Sequence, residues 1–235
     1  MKGLRTLGIV PARAGSRRLP GKNRRPLGGK PLVEWALDAA LGARTLDRVV
    51  VSSDDPWILD LARRRDPALA LPRPAALATE TALALDYVRH ALDTLESAGE
   101  ETYEAIAIVQ PTSPLTRPED IDATVALLAS SGADSAVTVV RLDHAIHPRK
   151  VKVLEGDRLR PYWQEEDGRM AAHELPPLYV RNGAVYASRR RVIDGGAILG
   201  EDCRAHPMPR ERSVDINDAL DFRFAEFLLA AEGAP

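Results

Sequence analysis

The chain has 235 residues, enough for one α/β domain or one domain with a small excursion, and its apolar share of 45% can fill an ordinary globular core. Its 32 lysines and arginines nearly balance 34 aspartates and glutamates, so the formal net charge of −2 excludes an overall basic field that would recruit nucleic acid. The lone Cys203 excludes an internal disulfide and a multi-cysteine zinc site, and no stretch reaches the apolar length of a bilayer span.

A strand is expected over Leu4–Val10, and the chain runs into it from Met1 without the apolar region of a signal peptide, so a soluble cytoplasmic protein is expected. The loop that follows carries Arg13, Gly15, Ser16, Arg17, Arg18, Gly21, Lys22 and Asn23. Glycines there allow close backbone approach, exposed amides can face phosphate oxygens, and the four cations neutralise charge, which suits a polyphosphate. It is not a Walker loop, because Gly21-Lys22 is followed by Asn23 and not by Ser or Thr. It is not a dinucleotide loop either, having two glycines where three are needed.

A helix is expected over Lys30–Ala43, with Leu32, Trp35, Ala36, Ala39 and Ala40 on one face, then a strand over Arg48–Ser53. Asp55-Pro56 opens a second helix, and Leu85, Val88, Leu92 and Leu95 stripe a third. A strand over Ala105–Gln110 leads to Thr116, Pro118 and Glu119, which read as a capping box before Ile121, Val125 and Leu128. Ser135–Val140 is a further strand, and Leu220, Phe224, Phe227 and Leu228 stripe the last helix toward the core. Cys203 reads as a small core residue, and His144 and His147 as surface or pocket residues without metal partners. Strands alternating with helices imply a doubly wound, mainly parallel α/β sheet, whose ligand sits beyond the carboxyl ends of the strands. The loops after Val10, Ser53, Gln110 and Val140 should therefore gather. Residues 144–182 break the alternation: a hairpin arm at Val151–Leu154 with Glu155-Gly156-Asp157 reads as an excursion from a core of 1–143 and 183–235.

Five motifs in order resemble the acylneuraminate (CMP-sialic acid) cytidylyltransferases, with CMP-Kdo synthetases as cousins. They are Pro11-Ala12-Arg13-x-Gly15-Ser16 with Pro20-Gly21-Lys22-Asn23, Arg73-Pro74-x-x-Leu77-Ala78, Gln110-Pro111-Thr112-Ser113-Pro114, Asn182-Gly183-Ala184-x-Tyr186, and Asp215-x-Asn217. The resemblance implies a Rossmann-like nucleotidyltransferase fold and transfer of CMP from CTP to the anomeric hydroxyl of a sialic-acid-like 2-keto-3-deoxy sugar acid. It implies that Ala12, Arg13, Ser16, Arg17, Lys22, Asn23, Arg73 and Ala82 bind nucleotide, with Arg13 and Lys22 stabilising the α-phosphoryl oxygens and leaving pyrophosphate. Gln110, Arg181, Asn182 and Tyr186 would line the sugar pocket. Asp215 and Asn217 would hold Mg2+, and Asp215 would assist deprotonation of the attacking hydroxyl. A homodimer is implied too, with the excursion reaching the partner's site.

The sequence also departs from the pattern. Ala84 stands where several relatives carry serine, Val180 where an arginine is usual, Ala172-His173 where sialic-acid enzymes have an Arg-Gln pair, and Asn217 where a second aspartate is usual. Arg169 and Arg181 are substitute contacts for an acidic sugar, and Asn217-Asp218 also reads as a plain helix cap. Activation of Kdo or another ulosonic acid, and an inactive nucleotide-binding regulator, stay open as alternatives.

Overall fold

The computed structural model describes residues 3–16, 18–99, 102–163 and 175–231. Arg17, Arg169, Ala172 and His173 lie outside them. In chain order the elements are β1 (Thr6–Pro11), β2 (Pro26–Leu27), β3 (Lys30–Pro31), α1 (Leu32–Gly42), β4 (Arg48–Ser53), α2 (Pro56–Arg65), β5 (Ala70–Pro72) and α3 (Ala84–Ser97). They continue as β6 (Ala105–Val109), α4 (Pro118–Ser131), β7 (Ser135–Arg141), β8 (Lys152–Glu155), β9 (Arg158–Pro161), β10 (Tyr179–Arg189), α5 (Arg190–Asp194), β11 (Cys203–Pro207) and α6 (Ala219–Ala231).

The doubly wound, mainly parallel α/β sheet expected from the alternation is present. Seven strands run in the order β11-β7-β10-β6-β1-β4-β5, all parallel except β10, which is antiparallel to both β6 and β7. The chain steps from β1 outward to β4 and β5, then returns across the sheet to β6. Strand order thus reverses between β1 and β6, and a crevice opens there at the strands' carboxyl ends.

Alternation along the strands builds two cores. Val10, Val51, Ala105, Ala107 and Val109 pack under α1, α2 and α4, while Leu7, Ile9, Val50, Ile106 and Ile108 pack under α3 and Ile193 of α5. A third cluster joins distant parts of the chain: Leu19, Leu27 and Leu32 pack with Leu115, Val214, Ile216 and, from α6, Phe222, Ala225 and Leu229. Asp55 caps α2 as expected, accepting from the Trp57 amide at 3.0 Å.

Several local expectations shift. Pro31 pairs in the two-stranded β2–β3 ribbon, so α1 begins at Leu32. The cap of α4 lies one residue later than expected: Pro118 occupies the first helical position, the Arg117 amide donates to Asp120 at 2.9 Å, and the Thr116 hydroxyl turns back to the Ser113 carbonyl. Cys203 is exposed on the edge strand β11 and not in the core. His147 is buried, with Nδ1 accepting from the Arg149 amide, whereas His144 is exposed.

The largest correction concerns α6. Leu220, Phe224 and Phe227 are 70%, 52% and 65% exposed, and only Leu228 of the expected stripe packs against the third cluster. Two apolar stripes run along this helix, so periodicity alone cannot choose between them; the side facing Leu27 and Leu32 is the one carrying Phe222. The excursion contains the β8–β9 hairpin, turning at Gly156 with φ +64, and the chain is back in the main sheet by Tyr179. Among the described residues no helix is long and apolar enough to cross a membrane.

The α6 register has a direct thermodynamic consequence. Phe222→Ala should cost about 3–5 kcal/mol by cavity formation, whereas Phe224→Ala should change stability by no more than about 0.5 kcal/mol. Urea unfolding of the two variants reads this; equal losses would contradict the observed packing.

Candidate active site

A cleft of about 310 Å³ opens at the β1/β6 reversal. Arg13, Ser16, Lys22, Asn23, Arg73, Ala82 and Gln110 all line it, so seven of the expected positions converge. Its wall is completed by Thr79 and Glu80 from the turn ahead of α3, by Thr112 of the Gln110 motif, and by Tyr87, which the sequence reading did not single out. Ala12 is fully buried and does not line the cleft; its amide donates to the Ser52 carbonyl and holds the strand end in place.

The cationic loop is fixed by specific bonds. The Ala14 amide donates to Asp54 at 2.8 Å, which ties the loop to the end of β4. Asn23 donates through Nδ2 to the Arg13 carbonyl at 3.1 Å, closing the loop on itself. Arg13 reaches across to the Thr79 carbonyl at 3.1 Å, linking the loop to the segment ahead of α3. Arg73 is 7% exposed. Its guanidinium donates to the Ser52 hydroxyl at 3.0 Å and carbonyl at 2.8 Å, and lies over the Tyr87 ring at 4.4 Å. Burial pushes the Tyr87 phenol well above its ordinary range, so the ring faces Arg73 as a neutral partner.

Lys22 joins the two ends of the chain. Its Nζ donates to the Ile216 carbonyl at 2.7 Å, and an ammonium has two further protons to offer. Burial lowers its pKa below the ordinary 10.5; nearby Asp215 opposes this, while Arg18 and Arg13 lower it further. The loop therefore concentrates partly desolvated positive charge, which a bound polyanion would relieve.

The segment bearing Asp215 is held on all sides. Arg212, half-buried, forms a two-pronged ion pair with Asp120, which is 4% exposed at its side chain. The Ile216 amide donates to the Thr112 carbonyl at 2.8 Å, and Ile216 itself is buried in the third cluster. Asn182 is buried beside this segment. Its Nδ2 donates to the Ser213 hydroxyl at 3.0 Å and approaches the Met208 sulfur at 3.1 Å, while its oxygen accepts from the Ala184 amide. It is thus placed to position the Asp215 segment and does not line the cleft.

Register slips in β10 between Arg181 and Tyr186, and Gly183 within that slip has φ +80. Its φ favours glycine there, and a Cβ at Gly183 would stand in ordinary contact with the Asp215 carboxyl carbon, at 3.4 Å. Arg181 is exposed outside the cleft. Tyr186 is half-buried, its phenol pushed up by burial and, more weakly, by Asp215. The loop after β7 does not gather here; Val140 to His144 line a separate cleft with Met208, Pro209 and Arg210.

Asp215 Oδ2 accepts from Asn217 Nδ2 at 3.0 Å, and Asn217 Oδ1 accepts from Arg18 at 2.7 Å. Among the described residues no cluster of three or more His, Cys, Asp or Glu could cage a metal by itself. One carboxylate beside a loop of cations does fit Mg2+, a hard cation that can complete its shell with phosphate oxygens and water.

Residues 7–202 match the family described as Cytidylyltransferase. The chain belongs to the cytidylyltransferase family. It is 28% identical to the CMP-N,N'-diacetyllegionaminic acid synthase of Legionella pneumophila, over 96% of this chain and 97% of that protein. It is also 28% identical to the N-acylneuraminate cytidylyltransferase of Escherichia coli O18:K1:H7, over 93% of this chain but 51% of that one, so it spans about half that relative's length. Among solved structures, a CMP:2-keto-3-deoxy-manno-octonic acid synthetase complexed with CTP superposes with a TM-score of 0.72 at 19% identity. That alignment covers 97% of this chain and 99% of the other. The cytidylyltransferase chain thus has the nucleotidyltransferase fold, and Asp215 lies beyond the segment matched to the family.

Two measurements follow from this geometry. Gly183→Ala should lower stability by about 1–2 kcal/mol through its positive φ; a wild-type value in denaturation would contradict it. Because the Lys22 pKa is lowered, its proton leaves at a lower pH than an ordinary lysine's 10.5. CTP affinity should therefore hold at neutral pH and fall, as pH rises, at a point below 10.5; calorimetric titrations against pH read it, and in Lys22→Arg that fall should move to higher pH.

Proposed function

We propose that this cytidylyltransferase transfers CMP from CTP to the anomeric hydroxyl of a sialic-acid-like 2-keto-3-deoxy sugar acid, releasing pyrophosphate. The observation that carries the reading is the meeting of Arg13, Lys22 and Gln110 in one cleft, with the Asp215 segment bonded to Lys22 from the other side. The relatives named for legionaminic and N-acylneuraminic acids support a nine-carbon acidic acceptor.

In this reading the triphosphate lies along the loop after β1. The two Lys22 protons not used by Ile216, with Arg13 and Arg17, balance charge on the α-phosphoryl group and on the departing pyrophosphate. Ser16 and Asn23 hold the phosphates from the loop itself. Arg73 and Ala82 border the base and ribose, with Arg73 kept rigid by Ser52 and Tyr87. Gln110 orients the sugar so that its anomeric oxygen faces the α-phosphorus in line with the leaving group. Tyr186 and Arg181 border the sugar side, and Asn182 serves by placing the Asp215 segment. Asp215 would hold Mg2+ and accept the proton of the attacking hydroxyl; bound Mg2+ would supply charge neutralisation across the phosphates.

The reading extends to a homodimer in the cytoplasm. Leu154 and Leu159 of the β8–β9 hairpin are 66% and 69% exposed, and an isolated two-stranded hairpin is marginal in water, which supports a second copy as its partner. CTP as the donor supports the compartment.

Pyrophosphate release from CTP and Mg2+ with a panel of sialic, legionaminic, pseudaminic and Kdo-type acids tests the activity. Turnover is expected with a nine-carbon acid and not with the other nucleoside triphosphates. Preference for Kdo would reassign the acceptor, and CTP binding without turnover on any acid would make the chain a regulator. Light scattering should report a dimer, and a monomer at every concentration would contradict that part.

A further inference from the structure

We propose that Asn217 is not a metal ligand in this enzyme but the holder of Arg18, whose guanidinium adds a further fixed positive charge for the triphosphate, so that CTP binds with one divalent cation, at Asp215. The inference rests on the cytidylyltransferase reading above and specifies how its phosphate site is charged.

Only the amide oxygen of an asparagine side chain can bind a hard cation, and that of Asn217 accepts from Arg18 Nη2 at 2.7 Å. Its nitrogen donates to Asp215 Oδ2 at 3.0 Å and to the Asp215 carbonyl at 3.2 Å. The alternative orientation of the amide would set its oxygen against the carboxylate and its NH2 against the guanidinium, two repulsive contacts in place of two attractive ones. A divalent cation on Oδ1 would likewise sit against a guanidinium.

The side chain is not needed to cap α6. Asp218 does that, its Oδ1 accepting from the Leu220 amide at 2.8 Å and the Asp221 amide at 3.1 Å. Asp221 in turn accepts from the backbone amides of Asn217 and Asp218. The Asn217 side chain is therefore committed to Arg18 and Asp215. Its neutrality matters: an aspartate there would pair with Arg18 and cancel its charge, whereas an amide fixes the guanidinium and leaves the charge intact. Arg18 is exposed on the same loop whose Ser16 and Lys22 line the cleft, and its charge lowers the proton affinity of Lys22.

The test is CTP titration in EDTA together with a count of bound Mn2+ in the CTP complex by electron paramagnetic resonance. The wild-type enzyme should bind CTP without metal. Arg18→Gln and Asn217→Ala should each weaken that metal-free binding by about 10-fold, and the double variant should be no weaker than Arg18→Gln alone. Asn217→Asp should weaken it too, by neutralising Arg18. The Mn2+ count should be one in the wild type and in Asn217→Ala, and should fall in Asp215→Asn. Asn217→Ser replaces Asn217→Ala if the alanine variant unfolds. Two Mn2+ ions falling to one in Asn217→Ala, or additive losses in the double variant, would overturn the proposal while leaving the cytidylyltransferase reading intact. A protein that binds no CTP under any condition would remove both.

Discussion

Positive charge that is partly withdrawn from water and only partly matched by nearby negative charge is the condition around which this molecule is organised. Lys22 gives up proton affinity to burial, and Arg13 and Arg18 add to the strain, while Asp215 offsets part of it. Such a cluster would relax outward if its loop were free. It is not free, because Lys22 is bonded to the Ile216 carbonyl and Leu19 of the same loop packs with Ile216, Leu27 and Leu115. The third hydrophobic cluster thus keeps cations in place that have reason to separate.

The same cluster explains why residues from opposite ends of the chain form one site. The loop after β1 is set by the sheet, and the Asp215 segment is set by α6 and by the Arg212–Asp120 pair on α4. Neither support involves ligand. Breaking a buried ion pair by removing one partner leaves an uncompensated charge, so the Arg212–Asp120 contact couples the geometry of Asp215 to the fold as a whole. Asn182 and Gly183 complete this from the β10 side, one by bonding Ser213 and the other by taking the positive-φ conformation where the strand passes the carboxylate.

The alternation of strands and helices was enough to read the sheet and the end at which a ligand sits, because burial on two faces forces that pattern on the sequence. The cleft-lining residues were legible for a different reason: Arg13, Lys22, Arg73 and Gln110 stand in motifs at strand ends. What escaped depended on three-dimensional neighbours. Nothing local distinguishes the Phe222 stripe of α6 from the Phe224 stripe. Nothing local marks Tyr87 within α3; its role comes from the Arg73 guanidinium that the fold sets over its ring. Asn182 belonged to a recognisable motif, yet its partners Met208 and Ser213 lie far along the chain and turn its side chain from the cleft toward the Asp215 segment. The role of Arg18 depended on its meeting with Asn217, which no spacing in the sequence encodes.

The central claim is that the loop after β1 and the Asp215 segment form a single phosphate site joined through Lys22. A crystal structure with a non-hydrolysable CTP analogue and Mn2+, read at the manganese absorption edge, tests it most directly. The anomalous peak should lie on the Asp215 carboxylate, with the triphosphate within hydrogen-bonding reach of Lys22 Nζ and Arg13. A nucleotide seated in another cleft, or a metal peak away from Asp215 with Lys22 touching no phosphate, would contradict the account.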